Sequence, residues 1–168
     1  LQTEPDLSTM RKEFANLELL IVQDIFMTKT AMEADVIFLA TSWGEHEGVY
    51  SAADRGFQRF YKAVEPQGDV KPDWEIHSLM ATAMGYPMKY SNTQEIWDEL
   101  REICDLYKGA TYEKMAGLGY VPWPCPDEDH PGTPWLYENN KFDTPSGKAL
   151  LFAAEWRHPM ESTDAQFP

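Results

Sequence analysis

The stretch Leu19-Leu20-Ile21-Val22-Gln23-Asp24 decides the fold class of this chain. Its apolar residues follow one another without alternation, which is typical of a strand whose two faces are both covered, as in a parallel sheet between helices. The run Val36-Ile37-Phe38-Leu39 repeats the pattern. A short helix-compatible segment, 28–33, lies between the two runs. The sequence therefore predicts an α/β fold, αβα with a mostly parallel sheet.

Helix-capping residues and apolar spacing predict three helices outside this unit. They begin at Asp6 or Ser8, at Asp73, and at a capping box formed by Asn92 and Glu95. The third helix should turn one apolar stripe inward: Ile96, Trp97, Leu100, Ile103 and Cys104. We also expect an extended segment within 56–64.

The second half of the chain is less regular than the first. We predict a short helix over 111–119 and a final strand over 148–156. Residues 121–147 are rich in proline, glycine and aromatic residues, and so long a loop should pack against other structure. We therefore divide the chain into an α/β part, 1–85, and a helical and irregular remainder of the same domain, 86–168.

Composition excludes several classes of protein. The 168 residues include 14 Lys and Arg against 28 Asp and Glu, a net charge of −14. Nucleic-acid binding through phosphates and polybasic membrane anchoring both need clustered cations, and this sequence has no such cluster. No apolar run approaches the roughly 20 residues that span a bilayer. The two cysteines match neither a disulfide framework nor zinc spacing, which favours a reducing, cytoplasmic location.

The first and last residues of the sequence suggest that it belongs to something longer. It begins at Leu1 rather than Met and stops at Gln166-Phe167-Pro168 without a tapering tail. We therefore expect it to be a piece of a larger protein.

Polar residues follow the first predicted strand at the edge where open α/β sheets bind ligands. Gln23 and Asp24 stand at the carboxyl end of that strand. A carboxylate there can accept two hydrogen bonds from a ribose diol or from the N1–H and N2–H edge of guanine. Alternatively, Asp24 caps the turn that follows.

The loop after the second predicted strand, 41–48, combines hydroxyls, carboxylates and an imidazole. Glu45, His46 and Glu47 superficially resemble a metal or acid–base cluster. Neighbouring side chains on an extended backbone point in opposite directions, however, so Glu45 and His46 do not converge easily on one ion. A solvated turn closed by Gly48 is the simpler interpretation. The chain also lacks the common nucleophile and phosphate-loop motifs.

Several long stretches form specific motifs that together cover most of the chain: 20–31, 34–37, 42–48, 53–59, 71–74, 92–101, 109–115, 123–125 and 141–145. In these stretches the sequence resembles the molybdopterin oxidoreductase family and, within it, the formate dehydrogenases. One departure stands at Phe38-Leu39, where the family usually has Leu-Pro.

The resemblance implies a parent enzyme that oxidises formate to carbon dioxide. Its cofactor would be bis-molybdopterin guanine dinucleotide carrying Mo or W, with a 4Fe-4S cluster elsewhere in the parent. The family's cluster cysteines and its metal-ligating selenocysteine or cysteine match nothing here. We therefore expect no catalytic residue and no metal ligand in this segment, and no formate dehydrogenase activity from it alone.

The resemblance also implies partners for this segment. They are the remainder of the catalytic subunit and an electron-transfer iron–sulfur subunit or hydrogenase, with no nucleic acid and no membrane-spanning segment. Two alternatives stay open: another family member, such as a nitrate reductase, or a non-catalytic guanine-nucleotide-binding module.

Carried over position by position, the resemblance implies seven cofactor-binding residues. These are Thr3, Gln23, Asp24, Thr41, Ser42, His46 and Asp73. Asp73 would read the guanine edge, while Gln23 and Asp24 would meet the ribose and phosphate region. Hydroxyls at 41 and 42 suit a pyrophosphate. This part of the chain would then hold one guanine dinucleotide arm of the cofactor.

Overall fold

A computed structural model describes residues 6–158 and residue 165 of the chain. The chain divides into two compact units, Leu1–Pro134 and Trp135–Pro168. This division differs in position from the one near residue 85 that the sequence suggested. That both predicted parts belong to one cofactor-binding domain stays a prediction.

The predicted strands form a two-stranded parallel sheet. Strand β1, Ile21–Asp24, lies beside strand β2, Val36–Leu39, with Ile21 opposite Val36 and Asp24 opposite Leu39. The connection contains a 3₁₀ helix, Ala31–Glu33, instead of an α-helix. Beyond β2 an isolated parallel bridge joins Ala40 to Lys71, which brings a third segment to the carboxyl end of the sheet.

Helices form where the capping residues predict them. Helix α1 spans Leu7–Phe14, and the Asp6 carboxylate accepts a hydrogen bond from the backbone N–H of Thr9 at 3.3 Å. Helix α3 spans Thr93–Ile103, and Asn92 Oδ1 accepts from the backbone N–H of Glu95 at 3.0 Å. These two predictions are confirmed.

Helix α2 corrects one prediction. It spans Asp73–Ala83, so Asp73 is its first residue, and Pro72 occupies the N-cap position without a side-chain cap. The prediction that Asp73 caps this helix is wrong because its carboxylate turns to the side chain of Gln23.

A second sheet is antiparallel, which corrects the prediction of a mostly parallel one. Strand β4, Gly56–Phe60, lies between strand β3, Gly48–Ser51, and strand β5, Tyr120–Pro122. Residues 52–55 join β3 to β4, and a connection this short is possible only between antiparallel strands. The fold is therefore α/β with one small sheet of each kind.

A hydrophobic core lies between this second sheet and helix α3. Its buried members are Phe57, Trp97, Ala110, Tyr112, Met115, Val121 and Cys125. The Phe57 ring packs edge-on against Trp97, with centroids 4.9 Å apart. Trp97 Nε1 donates to the carbonyl of Ala110 at 2.6 Å, so its buried polar atom is satisfied.

Two predicted elements do not form. Residues 111–119 make successive turns instead of a helix, closed by a hydrogen bond from Gly119 N to the Ala116 carbonyl at 3.0 Å. Residues 148–156, all of which the structure describes, pair with no strand and are exposed. Within the unit Trp135–Pro168, a 3₁₀ helix spans Glu138–Asn140, and the ring centroids of Tyr137 and Phe142 stack 4.7 Å apart.

Candidate nucleotide-binding edge

Six of the seven predicted cofactor-binding residues lie on segments that meet at the carboxyl edge of the parallel sheet. Gln23 and Asp24 end β1, Thr41 and Ser42 follow β2, and Asp73 lies two residues after the bridge at Lys71. His46 follows in the loop after β2. The seventh, Thr3, lies outside the described residues.

Asp73 and Gln23 are in direct contact. Gln23 Nε2 donates a hydrogen bond to Asp73 Oδ1 across fifty residues of sequence. Asp73 is exposed and is the first residue of α2. Its second oxygen can accept a hydrogen bond from a ligand.

Asp24 uses both of its carboxylate oxygens within its own loop. Oδ1 accepts from the backbone N–H of Phe26 at 3.1 Å, and Oδ2 accepts from Thr28 Oγ1 at 3.5 Å. Thr28 Oγ1 also accepts from the N–H of Ala31 at 3.2 Å. Asp24 thus caps its turn, the simpler of the two interpretations of the sequence, and a contact with ribose stays a prediction.

Thr41 connects β2, the bridging segment and His46. Its N–H donates to the Lys71 carbonyl at 3.0 Å, and its Oγ1 lies 3.0 Å from His46 Nδ1. Thr41 is only 4% exposed, and the His46 ring stands edge-on to Phe60 at 5.3 Å. The contacts with Thr41 and Phe60 therefore hold one side of the His46 ring in place. The sequence did not identify Lys71 as part of this edge, since the contact comes through its backbone.

Glu45 is committed to the backbone of its own loop. Its Oε2 accepts from the N–H of Ser42 at 2.8 Å and stabilises a 3₁₀ helix at Trp43–Glu45. Across residues 6–158 and 165 no group of three or more histidine, cysteine, aspartate or glutamate side chains could hold a metal ion. His46 and Glu47 instead line a cleft of about 390 Å³ that Trp74 also borders.

Cys125 is a buried thiol outside this edge. Its Sγ donates to the His130 carbonyl at 3.2 Å, and Lys114 Nζ lies 3.9 Å away. Burial raises the pKa of this thiol despite the opposing effect of Lys114, so the thiol is protonated and a poor nucleophile at neutral pH.

Among the described residues, no helix has the length and apolar character required to cross a bilayer.

Comparison with known proteins finds one matching family model and a set of similar curated proteins. The sequence model of the family "Molybdopterin oxidoreductase" matches residues 1–83. Formate dehydrogenase H of Escherichia coli is 59% identical over 170 residues, which is 100% of this chain and 24% of that protein. The F420-dependent formate dehydrogenase subunit alpha of Methanocaldococcus jannaschii is 37% identical over 99% of this chain and 25% of its own length.

A solved structure shares the fold. Acetylene hydratase from Pelobacter acetylenicus superposes with a TM-score of 0.59 at 23% sequence identity, over 84% of this chain and 19% of its own. This likeness supports the architecture alone.

The present chain spans about a quarter of the length of the curated relatives it matches. This chain is therefore similar to the molybdopterin oxidoreductase family over residues 1–83 and to formate dehydrogenases over its whole length.

Proposed function

We propose that this chain is part of the catalytic subunit of a formate dehydrogenase and binds the nucleotide end of its cofactor there. The observation that supports the parent activity is the 59% identity to formate dehydrogenase H along the entire chain. The parent would oxidise formate to carbon dioxide, and bis-molybdopterin guanine dinucleotide would supply the Mo or W centre at which the electrons leave formate.

The groups at the carboxyl edge fit the nucleotide end of such a cofactor. The exposed carboxylate of Asp73 can accept from the N1–H and N2–H donors of guanine, which lie side by side on one edge of the base. The Gln23 amide holds one of its oxygens and so limits its rotation. Recognition of guanine therefore falls to Asp73, with Gln23 orienting it.

The pyrophosphate would lie along the loop after β2. Thr41, Ser42 and His46 offer hydroxyl and imidazole groups, and His46 is held by Thr41 at 3.0 Å. In a chain of net charge −14, hydrogen-bond donors at this place offset part of the repulsion between protein and phosphate. Thr3 and Asp24 complete the proposed set, with Asp24 near the ribose.

The remaining parts of the enzyme would lie outside this chain. They include the metal ligand, the 4Fe-4S cluster and the partner that accepts electrons, which is an iron–sulfur subunit or a hydrogenase. We infer a cytoplasmic location for the parent from the two isolated cysteines.

Substitution of Asp73 in the full-length protein tests this proposal. In Asp73→Asn the side-chain oxygen can still accept from Gln23, but the amide that replaces the second oxygen cannot accept from guanine. We expect the bound metal and the GMP released by acid hydrolysis to fall together, because the affinity for the cofactor should weaken about ten-fold, which corresponds to about 1.4 kcal/mol.

The matched control is Asp69→Asn, an exposed aspartate just before the bridging segment. It should retain the wild-type cofactor content and formate-dependent dye reduction. Full cofactor content in Asp73→Asn would contradict the proposed site. Reduction of nitrate without oxidation of formate by the full-length protein would contradict the proposed substrate.

A further inference from the structure

Three consecutive apolar residues are exposed at the carboxyl edge of the parallel sheet. Ile25 is 49% exposed, Phe26 72% and Met27 65%. They follow Asp24 directly, and Gln23, the residue before it, touches Asp73. An exposed phenylalanine thus follows β1 three residues after Gln23, the residue that contacts Asp73.

The backbone that carries the Phe26 ring is fixed from both sides. Its N–H donates to Asp24 Oδ1 at 3.1 Å, and its carbonyl accepts from the N–H of Thr28 at 2.9 Å. Thr28 is joined in turn to Ala31, which is buried at 1% exposure. The ring is therefore exposed on an ordered turn, and little backbone freedom is lost when a ligand packs on it.

The polar residues at this edge can bind the edge of a purine base but not its two flat faces. Asp73 can satisfy donors in the plane of guanine, but hydrogen bonds do not cover the two flat faces of the base. Those faces are stabilised by stacking on aromatic rings, which is largely independent of the hydrogen bonds at the edge. Phe26 can supply such a face.

We propose that the ring of Phe26 is a stacking platform for the guanine base of the cofactor, and that Asp24 is the positioning residue that holds this ring in place. The inference rests on the proposed function and deepens it. Asp24 would then act by holding the turn that carries Phe26, and this role does not require a contact with the ribose. A second exposed ring, Trp43, follows Ser42 in the loop after β2.

The experiment compares two cofactor forms. The apo form of the full-length protein is titrated with molybdopterin guanine dinucleotide and, separately, with molybdopterin that lacks the nucleotide. We expect Phe26→Leu to weaken binding of the dinucleotide about ten-fold and binding of the nucleotide-free form by less than about two-fold. Phe26→Trp retains an aromatic face and should restore the dinucleotide affinity.

Trp43→Leu is the matched control because it removes an equally exposed ring from the neighbouring loop. It should not lower the preference for the dinucleotide. If Phe26→Leu weakens both cofactor forms equally or neither, or if Trp43→Leu produces the same selective loss, the assignment to Phe26 is wrong.

Two variants separate the positioning role of Asp24 from direct binding. Asp24→Asn keeps an oxygen for the Phe26 N–H and should retain most of the preference, whereas Asp24→Ala should show the same selective loss as Phe26→Leu. If Asp24→Asn lowers the preference for the dinucleotide as much as Asp24→Ala does, the carboxylate binds the cofactor directly and the positioning role is wrong.

Asp73→Asn distinguishes this inference from the proposed function. If Asp73→Asn lowers the preference for the dinucleotide and Phe26→Leu does not, the stacking proposal is wrong and the proposed nucleotide site stands. If Asp73→Asn leaves the preference for the dinucleotide unchanged, the proposed nucleotide site is wrong.

Discussion

Two aspartates at the same edge illustrate how neighbours decide the chemistry of a residue. Both carboxylate oxygens of Asp24, at the end of β1, accept hydrogen bonds from Phe26 and Thr28. Asp73, the first residue of α2, is exposed and accepts from Gln23 through Oδ1. The resemblance assigned a binding role to both. Only the contacts separate a carboxylate that organises a loop from one that is available to a ligand.

At the residue scale, Gly109 should be the least tolerant glycine in the core. A Cβ built there would lie 1.7 Å from the Asp127 carbonyl oxygen, while at Gly44 it would meet nothing within 4 Å. Backbone atoms cannot yield easily, so we expect Gly109→Ala to lower the free energy of unfolding by about 2–3 kcal/mol. Thermal unfolding of the full-length protein measures this effect, with Gly44→Ala as the control. Equal melting temperatures for the two variants would contradict the packing described for Gly109.

The buried thiol of Cys125 predicts a pH dependence. Its pKa is raised by burial above the ordinary value near 9, so the unfolded chain loses this proton at a lower pH than the folded protein. The stabilising contribution is complete below the ordinary pKa and is lost as pH rises through the raised one. As the pH rises above about 8, the melting temperature of the wild type should fall more steeply than that of Cys125→Ser. If the melting temperatures of the two proteins fall in parallel as the pH rises, the thiol does not contribute to the pH dependence of stability.

At the scale of the element, helix α3 forms as its capping residues predict. Asn92 and Glu95 close its first turn, and Glu95 Oε2 accepts from the N–H of Ser91 at 2.7 Å. The inward stripe is only partly confirmed. Trp97 is buried in the core, whereas Ile103 at the end of the helix is exposed. Local hydrogen bonds therefore fix where the helix begins, and packing decides how much of its apolar face is covered.

Removal of the α3 cap should cost stability. Asn92→Ala deletes the acceptor for the Glu95 N–H, and we expect a loss of about 1 kcal/mol in the free energy of unfolding. Asn92→Asp keeps an oxygen at the same place and serves as the control. Chemical denaturation of the full-length protein provides the measurement. A loss in Asn92→Asp as large as in Asn92→Ala would contradict the capping role.

At the scale of the whole molecule, the two sheets differ in how well they are covered. The antiparallel sheet packs on a core that contains Trp97 and Met115, whereas Ile21 and Val36 on the parallel sheet are exposed. Parallel sheets are normally covered on both faces, and this chain spans about a quarter of its curated relatives. We infer that the remainder of the parent polypeptide covers this surface.

Cysteine accessibility in the full-length protein tests that inference. Ile21→Cys should react with a maleimide far more slowly than Met84→Cys, because Met84 stands at the exposed end of α2. Denaturation should make the two rates equal. Comparable rates in the native protein would show that the surface of β1 is open to solvent.

The sequence alone determined the elements whose causes are local. Unbroken apolar runs predicted β1 and β2, and short-range capping contacts predicted α1 and α3. Long motifs also predicted the similarity to formate dehydrogenases that the comparisons found. Local signals failed at 111–119 and 148–156. The first segment is held by hydrogen bonds to distant residues, from Tyr112 to Thr93 and from Gly117 to Tyr61, and the second pairs with no strand among the described residues.

Tertiary structure decided the features that depend on distant residues. It alone brought Gln23 to Asp73, turned Asp73 away from capping its helix, and joined Thr41 to the backbone of Lys71. It also made the second sheet antiparallel and buried Cys125. The physical reason is that residue spacing fixes which side chains share a face, whereas a partner far along the chain is chosen by packing and hydrogen-bond satisfaction over the whole fold.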